Sequence, residues 1–116
     1  MSLGRTFAEA VAAKDHEAVR QLMHPDLDFR AMTPKRVWEG DPVDALQVWF
    51  GDDDHVEGLD LVETDAFADR ERVGYRLRVR NDDGLHLVEQ QAYLSETDGH
   101  IGWLRIMCAG YRPIDG

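Results

Sequence analysis

The chain has one cysteine, Cys108, in 116 residues, so it forms no disulfide within itself and cannot build a paired-cysteine zinc site. It contains no apolar run of about 18 residues of the kind that crosses a bilayer as a helix, and no membrane partner is expected. Its opening, Met1-Ser2-Leu3-Gly4-Arg5, lacks a basic segment followed by an apolar run, which makes a cytoplasmic protein the expectation. Positive charge is scarce: 13 Lys and Arg against 23 Asp and Glu leave a formal net charge of −10. A field of that sign repels phosphate backbones, so nucleic acid is not expected as a partner. HExxH, EF-hand, Gly-rich phosphate-loop and dinucleotide spacings are all missing, and neither a metal nor a cofactor is expected.

What remains is an ordinary globular composition, 43% apolar, long enough for one domain spanning residues 1–116 and one modest core. Leu3, Phe7, Ala10 and Val11 recur at helical spacing and predict a first helix up to about Lys14. Asp15 caps a second helix in which Val19, Leu22 and Met23 share a face, with Pro25 ending it. Leu27 to Ala31 alternates as a short strand, and Thr33-Pro34 opens an irregular link. Asp41 followed by Pro42 is a strong helix start, since proline at the first helical position lacks only an N–H that would go unpaired anyway. Leu46, Trp49 and Phe50 supply that third helix's buried stripe, and Gly51 with three aspartates stops it.

Beyond residue 54 the apolar period falls from about 3.6 to 2, giving four strands at 56–64, 72–80, 85–95 and 101–111. Asn81-Asp82-Asp83-Gly84 and Glu96-Thr97-Asp98-Gly99 predict hairpins between the last three. The fold class is therefore α+β, with three N-terminal helices covering a curved antiparallel sheet. On the strand at 72–80, Val73, Tyr75, Leu77 and Val79 share one face, while Arg72, Arg76, Arg78 and Arg80 share the other. The arginine row is read as cross-strand pairing with Glu57 and Glu89 or as a subunit contact. At 85–95 both faces are mixed: His86, Val88, Gln90, Ala92 and Leu94 on one, Leu87, Glu89, Gln91 and Tyr93 on the other. On the last strand Trp103, Arg105, Met107, Ala109 and Tyr111 alternate with Leu104, Ile106, Cys108 and Gly110.

This order of elements resembles the nuclear transport factor 2-like (NTF2-like) superfamily, and within it the small SnoaL-like members. The resemblance runs through Phe7, the segment Met23-His24-Pro25-Asp26-Leu27-Asp28-Phe29, Trp38-Glu39-Gly40 before the capped helix, and Trp103-Leu104-Arg105-Ile106. It implies a cone-shaped, cystatin-like fold, a pocket for an apolar small molecule, and a homodimer formed through the sheet face. The superfamily includes ketosteroid isomerase, scytalone dehydratase, epoxide hydrolases, polyketide cyclases and non-catalytic association domains, so the fold alone assigns no reaction. In the isomerase pattern a carboxylate base follows the first strand and a tyrosine sits in the first helix. The matching positions here are Ala31 and Phe7, neither of which carries a proton, and this argues against that isomerase pattern.

The candidate catalytic residues are His24, Asp26, Tyr75 and Glu89. His24 and Asp26 are either a proton-transfer pair or a solvated turn. Tyr75 is the only polar group on its apolar face, and Glu89 is either a general acid in an apolar hollow or an arginine's partner. The candidate ligand-binding residues are Arg30, Trp38, Trp49, Gln91, Arg105 and Met107: two forks for an oxyanion, two indoles for a flat ligand, an amide for an oxygen and a thioether for the wall. Cys108 reads as a buried, inert thiol. The expectation is a pocket protein, or a cofactor-independent acid/base enzyme of isomerase, cyclase, dehydratase or hydrolase type. The alternative is a non-catalytic dimerisation module whose cone is filled by its own side chains.

Overall fold

A computed structural model describes residues 2–51 and 54–114, with only the backbone of Leu61, Val62 and Phe67. Helix α1, Leu3–Ala12, starts where the Ser2 side chain accepts from the Arg5 N–H, and it buries Phe7, Ala8 and Val11. Its first turn also takes a carboxylate from the sheet: the Gly4 N–H donates to Glu71 Oε1 at 2.8 Å, a favourable place for negative charge. Asp15 caps α2, His16–Leu22, by accepting from the Ala18 N–H. As the sequence predicts, α3 spans Pro42–Trp49 with Asp41 as its cap. Asp52 and Asp53 of the acidic stop signal lie outside the described residues.

Six strands follow the order β2-β1-β6-β5-β4-β3. They are β1 Met23–Thr33, β2 Arg36–Glu39, β3 His55–Phe67, β4 Arg70–Asn81, β5 Gly84–Thr97 and β6 His100–Pro113. The two predicted hairpins are present, and β3 joins β4 through a third turn in which Ala68 takes a positive φ of 51°. Three features differ from the sequence reading. First, α2 stops at Leu22, and the residues expected to reach Pro25 already belong to β1, whose register shifts between Met23 and Asp28 to accommodate the proline. Second, the link after Thr33 is a hairpin: Lys35 adopts φ 71° and β2 folds back on β1, although lysine gives no turn signal. Third, β1 and β6 run parallel, so the sheet is mixed; no hairpin joins them, and their direction is free of local turn chemistry.

The concave face packs against the helices. Phe7, Leu46, Leu77, Leu104 and Ile106, from α1, α3, β4 and β6, are each at most 2% exposed, so no water-sized space borders them. The cone's centre is therefore filled. The convex face carries the arginine row, paired across strands as expected: Arg80 with Glu57, Arg78 with Asp60, Arg76 with Glu89, and Arg72 with Asp65. These are screened surface pairs that contribute little to stability and mainly neutralise the face.

Regular alternation would send Tyr111 to the convex side with Met107 and Ala109. A bulge prevents this: Gln90 pairs with Cys108 but Val88 pairs with Tyr111, and Gly110 absorbs the extra residue at φ +85°. Tyr111 thereby turns inward against Phe50 and His86. A Cβ at Gly110 would also lie 3.0 Å from Pro34 Cγ in the β1–β2 turn. Gly110→Ala is expected to lower unfolding free energy by about 1–3 kcal/mol in urea titrations, combining backbone strain with that contact. Gly51→Ala, whose added carbon meets nothing within 4 Å, should stay within about 0.5 kcal/mol of the parent chain.

Candidate functional site

The concave face of β4, β5 and β6 is apolar except for His86, which packs on Tyr111, and one row running straight across it. Tyr75 pairs in register with Gln90, and Gln90 with Cys108, so their side chains are neighbours on the inner face. Tyr75 O–H donates to Gln90 Oε1 at 2.6 Å in a fully buried pair. Gln90 is 2% exposed, and its Nε2 has no acceptor. A buried amide left with unpaired donors costs about 1–3 kcal/mol, which makes this atom the least satisfied group of the inner face. Cys108 receives the Gly110 N–H at 3.4 Å on its Sγ.

Two indoles stand at the partly exposed end of this row. Trp38 and Trp49 meet edge to face with ring centroids 5.7 Å apart. Trp38 Nε1–H donates to Thr33 Oγ1 at 2.8 Å, and Thr33 follows the Met32–Met107 pair on β1, at the level of Cys108. Trp49 Nε1, like Gln90 Nε2, is buried without an acceptor. The C-terminal end of α3 is held over the row by Tyr111, whose hydroxyl lies 2.7 Å from the Trp49 carbonyl oxygen and 3.0 Å from Asp54 Oδ2. Asp54 also accepts from the Asn81 side-chain amide and the Gly51 N–H. Thr33, Trp38, Trp49 and Cys108 are all half-buried, so this is where the packed interior meets solvent.

Burial raises the Tyr75 phenol well above its ordinary value, with Cys108 adding to the effect; burial and then the Asp54 charge do the same to Tyr111. Both hydroxyls are held as neutral donors, and neither is a base.

The other sequence candidates lie elsewhere. Glu89, Gln91 and Met107 come together on the convex face, beside an open hollow of about 430 Å³ that also touches Arg72 and Ala109 and whose lining includes Tyr75, Gln90 and Cys108 of the inner row. Glu89 there is paired with Arg76 and Arg112. Arg30 pairs with Glu39, and Arg105 with Asp28, both on the convex side. His24 and Asp26 sit at the α2–β1 junction, where His24 Nδ1 accepts the Asp26 N–H and Nε2 faces Asp98 at 3.5 Å. That junction borders a second hollow, of about 350 Å³, with Arg20 and Asp41. Of the expected site residues, then, Tyr75 belongs to the inner row, and Trp38 and Trp49 stand at its end. Gln90 holds the inner position beside Tyr75, and Gln91 faces out. A signal for Gln90 was present: it is the one amide on the face that carries Val88, Ala92 and Leu94, in register with Tyr75.

No family model matches the chain, and no curated protein matches it. Solved structures do. An LEH-like epoxide hydrolase from M. tuberculosis superposes with a TM-score of 0.68 at 13% identity, over 91% of this chain and 79% of that one. An NTF2-like protein from Cytophaga hutchinsonii gives 0.64 at 11% identity, over 93% and 92%. A Mesorhizobium loti chain described as a SnoaL-like polyketide cyclase gives 0.61 at 16% identity, over 91% and 98%.

The fold is NTF2-like. At these identities the likeness extends to the backbone and leaves the chemistry of this NTF2-like cone to its own residues. Among its described residues no three His, Cys, Asp or Glu side chains are grouped as metal ligands would be. No described helix is long and apolar enough to cross a membrane.

The two raised phenols can be measured directly. In a spectrophotometric titration of the folded protein, no more than one of the three tyrosines should ionise near the ordinary value of about pH 10. The folded-state values are raised, so stability is undiminished below about pH 10 and falls as pH rises beyond it. Three phenolates appearing together near pH 10 in native protein would contradict the buried placement of Tyr75 and Tyr111.

Proposed function

We propose that this NTF2-like domain, a SnoaL-like member of its superfamily, binds a small apolar molecule at the Trp38–Trp49 end of the cone. The ligand presents an acceptor oxygen to Gln90. The orphaned Gln90 Nε2 carries the proposal: a core that needed only to be filled would do better with leucine there, whereas a binding row needs a donor waiting for an acceptor. Because the centre is packed, binding opens the cone, and Trp49, whose own Nε1 is unpaired, is the movable wall. Tyr75, kept neutral and already donating to Gln90, polarises the amide and fixes its orientation. The row itself holds no carboxylate or imidazole: Asp54 and His86 flank it at Tyr111, where Asp54 accepts from the hydroxyl, and His24, Asp26 and Glu89 lie on other surfaces, so the reading is ligand binding rather than acid/base turnover through His24, Asp26 or Glu89.

The test replaces both polar partners with apolar ones of similar shape. Tyr75→Phe/Gln90→Leu should melt at or above the parent temperature, because it removes an unsatisfied amide and its partner together. It should also lose binding of the uncharged aryl ketone 6-propionyl-2-(dimethylamino)naphthalene, followed by its emission. Gln90→Leu alone strands the Tyr75 hydroxyl and should cost about 1–3 kcal/mol. A double variant that is clearly destabilised, or parent protein that does not take up the ketone, would sink the reading.

A second observation supports association through the convex face. In strict register, Val37, Met32, Met107, Gln91 and Gly74 form one line across five strands. Val37, Met32 and Met107 are 59%, 51% and 52% exposed, an apolar strip running inward from the β2 edge of a face rich in charge. We infer that a second copy covers it in a homodimer. Met32→Lys/Met107→Lys should convert a dimer to a monomer in sedimentation velocity without lowering the melting temperature of the monomer; a parent chain that sediments as a monomer at every concentration would exclude the dimer.

A further inference from the structure

The protein carries a large excess of negative charge, and almost every described cation is engaged. The arginines of α1, β1, β4 and β6 face carboxylates within ion-pair distance, and Lys14 Nζ donates to the carbonyls of Gly51 and Asp54. Among the described lysines and arginines, only Arg20, Lys35 and Arg36 have neither an acid nor a hydrogen-bond acceptor. Two of these three are consecutive, at the tip of the β1–β2 hairpin.

That tip lies beside the half-buried Trp38–Trp49 end of the cone. Pro34 leans on β6 at Gly110, two residues beyond Cys108. The Arg36 guanidinium stacks 3.6 Å from the centroid of the Trp38 ring, the indole that meets Trp49 and bonds Thr33. Guanidinium stacking on an indole leaves the fork's N–H groups free at the ring's edge, available to an oxyanion. In a chain of net charge −10, a pair of unneutralised cations beside two half-buried indoles gives an anion local attraction against the global field.

We propose that the ligand is an anionic amphiphile: an apolar, carbonyl-bearing body that enters between Trp38 and Trp49 toward Gln90, with a terminal carboxylate that stays at the rim against Lys35 and Arg36. This rests on the binding reading above and adds to it a class of ligand and two residues that discriminate for it. The inner row supplies no cation to hold a buried charge, so the charged end must remain outside, where the hairpin meets it. Specificity is thereby divided: the row selects a neutral acceptor oxygen, and the rim selects negative charge at the far end of the molecule.

The probe is a matched pair, 4-[6-(dimethylamino)-2-naphthoyl]cyclohexanecarboxylic acid and its methyl ester, which share the aryl ketone and differ in the terminal charge and one methyl group. Binding is read from naphthoyl emission and from quenching of Trp38 and Trp49. The acid should bind the parent protein about tenfold tighter than the ester, the product of about threefold from each of two exposed cations roughly 6 Å away in water. Lys35→Asn, which suits the positive φ, combined with Arg36→Met, which keeps an apolar stack on Trp38, should bring the acid's affinity to the ester's and leave the ester's unchanged. Salt at about 1 M should erase the difference in the parent protein. Equal affinities for acid and ester, indifferent to the double substitution, would overturn the anionic class while leaving the apolar site intact. Failure of both probes to bind would remove the site itself, and this inference with it.

Discussion

Side-chain alternation along β4, β5 and β6 is the constraint on which the rest of the molecule depends. With the period held at two, one set of residues fills the cone and the other meets solvent, and a single residue's slip would exchange them. On β4 the separation is clean: Val73, Tyr75, Leu77 and Val79 are buried, while the intervening arginines reach acids on β3 and β5. The ion pairs follow from the register rather than creating it, since screened pairs add little energy but mismatched charges on a covered face would cost much more. Two bulges interrupt the alternation on β6, at Gly102 and at Gly110, and the second turns Tyr111 inward. Through its contacts with the Trp49 carbonyl and Asp54, that residue ties the end of α3 to the sheet.

Within this frame the inner row is an exception to the core's own logic. Cores of this size close-pack with apolar groups, and the surrounding residues do so. Tyr75 and Gln90 instead form a buried polar pair with a donor left over, placed at the side of the cone that Trp38 and Trp49 leave partly open. A half-satisfied polar network destabilises a fold, and the proposed ligand is the partner that would complete this one. The packed centre and the unpaired amide are compatible if the resting cone is closed and the ligand displaces an indole.

Much of the architecture was legible in the sequence because it is written in local terms. The caps at Asp15 and Asp41, Pro42 at a helix start, the change of apolar period after residue 54 and the two Asp/Asn/Gly turns each act over a few residues, and the structure contains them all. The pairing of Arg80 with Glu57 and Arg76 with Glu89 was also readable, since neighbouring strands and parity suffice to bring those charges together. The Lys35 turn was not readable, because lysine carries no preference for positive φ. Nor was the start of β1 at Met23, where pairing with Ile101 of the distant β6 outweighs local helical pattern.

The sequence by itself determined which residues are apolar, where helices begin and which side chains share a strand face, because these depend on spacing along the chain. Only the tertiary structure decided which face is the inside. That choice separated Gln90 from Gln91, sent Glu89, Arg105 and Met107 to the convex surface, and placed His24 at a different hollow from Tyr75. The parallel pairing of β1 with β6 and the bulge at Gly110 join residues about 75 positions apart in one case and reverse a strand's parity in the other. The pairing leaves no local trace, and the glycine at 110 marks a bulge without saying which face gains Tyr111, because both outcomes are settled by which surfaces close together when the helices cover the sheet.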